Sequence, residues 1–86
     1  MSTDEQAGMA RALALGLLRD AELGERVVIR AHDAGGARDA LGDLVARTSD
    51  SVTVDTRRGL VDVALEDVVA AKRVPPPPAP RPRRPR

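Results

Sequence analysis

All seven prolines of this 86-residue chain fall between Pro75 and Pro85. Proline fixes φ and carries no N–H, so neither helix nor sheet can run through the stretch from Pro75 to Arg86. That stretch is expected to be an extended polyproline II rod of about 35–40 Å, outside any packed unit. The folded part therefore ends near Val74, and everything that folds must do so in the residues before it. A unit of this size buries only about 60% of the surface of its unfolded chain. Its core has to be economical, and the composition allows one kind only. There is no Phe, Trp or Tyr, so the core is purely aliphatic.

The same absences exclude functions. Without aromatic rings the chain has no base-stacking platform, no cage for a quaternary ammonium and no ring-lined groove for proline-rich peptides. Without cysteine it has no thiol nucleophile, disulfide or thiolate metal site, and a single histidine excludes a multi-histidine centre. No cofactor is expected. The longest apolar run, Ala12 to Leu18, is too short for a membrane span and is followed at once by Arg19-Asp20. A cytoplasmic location without membrane contact is the expectation.

The net charge of +1 conceals a division. Six of the 14 basic residues, and none of the 13 acids, lie from Lys72 onward, which leaves a body of −5 beside an arm of +6. Arg81, Arg83, Arg84 and Arg86 are thus candidates for contacts with phosphate or with an acidic partner. Lys72-x-x-Pro75-x-x-Pro78 also has the spacing of a proline-rich ligand with a basic anchor.

Local patterning divides the rest. Residues 1–21 read as a partly helical N-terminal arm. Ser2 and Thr3 precede Glu5 and Gln6 at capping-box spacing, and Ala10, Leu13, Ala14, Leu17 and Leu18 recur at helical intervals. Gly8 and Gly16 weaken it by about 1 kcal/mol each, and Met9 is a possible alternative start. From residue 22 the period changes. Val27 to His32 reads as a strand, Asp33 to Asp39 as a loop around Gly35-Gly36, and Ala40 to Arg47 as a second strand with a bulge at Gly42. Ser51 to Thr56 alternates cleanly, Arg57-Arg58-Gly59 is a hairpin tip, and Leu60 to Leu65 alternates again. A helical turn over Glu66 to Val69 and a last strand over Ala70 to Val74 follow. Four strands, a short turn and a fifth strand imply an all-β, five-stranded SH3-like barrel over residues 22–74, because closure removes exposed edges. Its expected core is Leu23, Val27, Ile29, Leu41, Leu44, Val52, Val54, Val61, Val63, Leu65, Val68 and Val69.

The segments Leu23 to Arg30, Asp39 to Ala46, Val52 to Gly59 and Val61 to Pro76 carry a resemblance. Together, and above all in the closing Asp67-Val68-Val69-Ala70-Ala71-Lys72-Arg73-Val74-Pro75, they resemble the SH3-like N-terminal domain of actinobacterial GNAT-type, histone acetyltransferase-like acetyltransferases. In such enzymes this segment leads into the catalytic domain. The coenzyme A pyrophosphate loop that an acetyltransferase needs at a helix N-terminus has no counterpart here, since neither Arg57-Arg58-Gly59 nor Gly35-Gly36 meets its pattern. The resemblance thus implies a stand-alone accessory domain without transferase activity. Small SH3-like iron-transport accessories are similar at the level of fold alone.

No catalytic or metal constellation emerges from the remaining residues. His32 beside Asp33 lacks an orienting partner in the sequence. Asp62, Glu66 and Asp67 lack the spacing of a calcium loop. Arg57 and Arg58 at the hairpin tip are possible partner or phosphate contacts. The expected function is a non-enzymatic, protein-binding module, its partner an acetyltransferase-like protein or a second copy. Non-specific binding of nucleic acid through the basic arm is the alternative.

Overall fold

A computed structural model of the chain describes residues 3–75. An 18-residue helix, α1 (Thr3–Asp20), precedes five strands: β1 (Arg26–Asp33), β2 (Gly36–Arg47), β3 (Ser51–Thr56), β4 (Gly59–Ala64) and β5 (Val68–Arg73). A single 3₁₀ turn, Leu65–Asp67, separates β4 from β5. All neighbouring strands are antiparallel, in the order β4-β3-β2-β1-β5. None of the described segments is a helix long and apolar enough to cross a membrane.

This is an α+β fold, and it corrects the expectation of an all-β barrel. The sheet is open, because its end strands β4 and β5 do not pair with each other. The reason lies in α1, which packs against β5. Ala14, Leu18 and Ala21 are almost fully buried in one cluster with Val27, Ile29, Leu44, Val52, Val54 and Val68. Covering a strand with a helix is an alternative to closure for protecting a sheet edge. The helix supplies apolar surface that a barrel would draw from an opposing strand.

Two arginines hold the helix in place. Arg11 donates from one guanidinium nitrogen to the carbonyls of Leu65 and Val68, at 3.2 Å each. Arg47, at the end of β2, donates to the carbonyls of Leu18 and Ala21 at 2.9 and 2.6 Å. The Leu18 carbonyl lies in the last turn of the helix and the Ala21 carbonyl just past its end, neither with an intrahelical donor, and a cation there also complements the helix dipole. Asp4 and Glu5 in the first turn and Arg19 in the last act in the same sense. Replacing Arg47 by Met keeps the aliphatic stem and removes both hydrogen bonds. Urea unfolding of this variant is expected to show a loss of about 1–3 kcal/mol; an unchanged midpoint would refute the clamp.

The first hairpin is tighter than the sequence suggests. Gly36 to Asp39 lie in β2 rather than in a loop, and only Ala34-Gly35 form the turn. Gly35 takes φ +89°, and the Asp33 carboxylate accepts the N–H of Ala34 at 2.8 Å. Pairing with β1 imposes the strand on residues of modest strand propensity.

Gly42 is not the bulge. The ladder runs straight through it, and the irregularity lies between Leu44 and Ala46. The inward residues of β2 are consequently Ala40, Gly42 and Leu44, while Leu41 points outward and is 45% exposed. Leu23 also lies outside the core, and Val61, Leu65 and Val69 are half-buried.

Candidate functional site

β2 is twice as long as β3, so part of it has no neighbour on that side. From Gly36 to Leu41 it pairs with β1 alone, and the β3 ladder begins only at Gly42, opposite Thr56. The β3–β4 hairpin turns away at this point. Thr56 fixes the turn, its hydroxyl donating to the Gly59 carbonyl at 2.8 Å and accepting the Arg58 N–H at 3.1 Å. Gly59, at φ +111°, supplies the left-handed backbone that the turn requires.

The result is a notch of about 580 Å³ between the tip of the hairpin and the free edge of β2. Four arginines contribute to its lining: Arg26 from the start of β1, Arg38 from β2, and Arg57 and Arg58 from the turn. Asp39 is the acidic residue of the lining, and its carboxylate already accepts hydrogen bonds from Arg30 at 3.0 and 3.5 Å. Arg38 has only a loose contact with Asp33, at 3.7 Å. Among the described residues, Arg26, Arg57 and Arg58 have no ion-pair partner. Positive charge thus concentrates locally on a body whose formal charge is negative.

The hydrogen bond from Arg30, opposed by slight desolvation and helped by the charge itself, holds the Asp39 carboxyl below the usual carboxylate range. The same partnership raises Arg30. A depressed carboxyl contributes stability above the ordinary carboxylate range and loses it as pH falls through its folded value. Both groups are exposed, so the contribution is small. A carbon-detected NMR titration is expected to place Asp39 below the usual carboxylate range, and Arg30→Gln is expected to move it up. An unmoved titration would show that Arg30 is not the cause.

The other singled-out residues are placed otherwise. His32 and Asp33 end β1, but Asp33 faces its own turn and Arg38. They share a second cleft, of about 180 Å³, with Asp62, Asp67 and Arg38, which thus borders both clefts. Asp62 accepts the Thr53 hydroxyl at 2.7 Å. No group of three or more His, Asp or Glu side chains among the described residues could hold a metal ion. Lys72 stands in β5 opposite Val28, and Pro75 is the last described residue. Arg81, Arg83, Arg84, Arg86 and Pro78 lie outside the described residues.

The structure thus joins Arg57 and Arg58 to Arg26 and Arg38, which sequence reasoning did not single out. Thirty-two positions separate the first and last of them, and only the strand register brings them together. Comparison with known proteins finds no matching family model, no matching curated protein and no matching solved structure.

Proposed function

We propose that this chain is a non-catalytic interaction domain that binds a protein partner. The observation that carries the reading is the uncovered outer face of the sheet. The helix shields the inner face, while Leu41 and Leu60 remain 45% and 69% exposed on the outer one, and Val45, the unpaired residue of the β2 irregularity, is 41% exposed. Their strands form one continuous ladder there, in which Leu60 lies opposite Asp55 and Asp55 opposite Asp43. Large aliphatic side chains set among charges in this way are the surface that a protein partner covers.

The non-catalytic half of the proposal is carried over from the sequence, in which the coenzyme A loop of the acetyltransferases it resembles has no counterpart. An acetyltransferase-like protein and a second copy of the chain are the partners that the sequence resemblance suggests.

The test uses the tagged full chain as bait in a native lysate, beside a Leu60→Asp variant. Leu60 is exposed, so the variant is expected to keep the circular dichroism of the parent. A stoichiometric protein captured by the parent and lost with the variant is the expected result, and its mass identifies an acetyltransferase-like partner or a second copy. Capture of nothing at stoichiometry, or equal capture by both, would overturn the reading.

A further inference from the structure

We infer that the arginine-lined notch is a binding site for an extended acidic peptide, which adds as a short strand to the free edge of β2. The inference rests on the protein-binding reading and names the chemistry of what is bound.

Two independent features point to this ligand. The first is backbone. From Gly36 to Leu41, β2 pairs on one side only, so alternate N–H and C=O groups on the other side have no strand partner. Six residues of open edge, about 20 Å at the rise of an antiparallel strand, suit a peptide of similar length. The second is charge. Arg26, Arg38, Arg57 and Arg58 line the same notch, and its one carboxylate, Asp39, is engaged by Arg30. Guanidiniums bind carboxylates in paired, directional hydrogen bonds, and three of these four have no ion-pair partner among the described residues. Leu41, which also lines the notch, offers apolar contact to an intervening side chain.

A nucleic acid fits the notch less well. It has no backbone amides to complete a strand ladder, and the chain has no aromatic ring on which a base could stack.

The experiment is an amide NMR titration of the full chain with an acetylated eight-residue peptide of alternating Glu and Thr. A Lys–Thr peptide and an eight-nucleotide oligo-dT serve as comparisons. The Glu–Thr peptide is expected to shift the amides from Gly36 to Leu41 and from Arg57 to Gly59, more strongly at low salt, and the Lys–Thr peptide to leave them in place. Arg57→Gln with Arg58→Gln, both at an exposed turn, is expected to weaken binding about tenfold or more, and Arg38→Gln alone to weaken it measurably. Replacing Arg81, Arg83, Arg84 and Arg86 together by Gln is expected to change affinity less than twofold. Absence of shifts at the β2 edge with millimolar peptide would overturn the assignment. So would loss of binding on substitution of the four C-terminal arginines, or tighter binding of oligo-dT at the same amides. A Leu60-dependent protein partner without peptide binding removes this assignment alone, whereas a bait that captures nothing removes the reading beneath it.

Discussion

Gly42→Ala is expected to lower the stability of the fold by about 3 kcal/mol or more. A methyl group on Gly42 would overlap the carbonyl oxygen of Asp55 and lie 2.7 Å from its carbonyl carbon and 3.1 Å from Cα of Thr56. All three are backbone atoms of β3, so no rotamer change relieves the clash; the β2–β3 ladder itself must open. Overpacking of well-fitted sites costs about 1–3 kcal/mol even where side chains can yield, and a rigid neighbour puts this case at the upper end or beyond. Small domains hold a total stability of about 5–15 kcal/mol, so a loss of this size removes a large share of it. Urea unfolding followed by circular dichroism at 25 °C should show the loss as a lowered midpoint. Gly16→Ala is the control of opposite sign. Open space surrounds Gly16, which lies inside α1, so alanine there is expected to add about 1 kcal/mol. A native-like midpoint for Gly42→Ala would mean that the two strands do not approach as closely as the geometry requires.

The same glycine shows where reading the sequence succeeds and where it stops. Val52-Thr53-Val54-Asp55 alternates without ambiguity, and β3 runs from Ser51 to Thr56 as that pattern implies. Gly59 after Arg57-Arg58 marks a turn because the backbone needs φ above zero there. Gly42 carries no such local sign. A glycine within a strand suggests either a bulge or a close approach, and the choice depends on β3, which lies a dozen residues away. That choice also decides which neighbour points inward. With the ladder straight, Ala40 enters the core and Leu41 leaves it, against the hydrophobicity of the two side chains.

The candidate site was legible to a similar extent. A turn presents Arg57 and Arg58, and turns are visible in a sequence. Arg26 and Arg38 reach the same notch only through the registers Arg26 to Asp43 and Gly42 to Thr56. Arg11 and Arg47 illustrate the converse. In the sequence each looks like an ordinary solvated cation, and in the fold each joins α1 to the sheet over a separation that no local pattern encodes.

The open sheet leads to the second large effect. If residues 22–74 closed into a barrel, the helix would be dispensable; in the observed fold it is part of the core. Leu18 is 1% exposed and, with Ile29 and Leu44, among the largest of the fully buried side chains. Leu18→Ala removes buried apolar volume at the seam between α1 and the sheet, for which a loss of about 2–5 kcal/mol is expected in urea unfolding. A chain beginning at Glu22 goes further. It lacks Ala14, Leu18 and Ala21 from the core cluster, leaves the Arg47 guanidinium without the carbonyls of Leu18 and Ala21, and exposes the side of β5 that α1 covers. What remains is an aliphatic five-stranded sheet whose inner face is now open to water like its outer one, and its buried apolar surface is too small to offset the chain entropy. The shortened chain is expected to show narrow amide dispersion and no cooperative transition, and its uncovered β5 edge should make it self-associate in sedimentation. A dispersed spectrum with a cooperative, monomeric unfolding transition would show instead that the sheet stabilises itself without the helix.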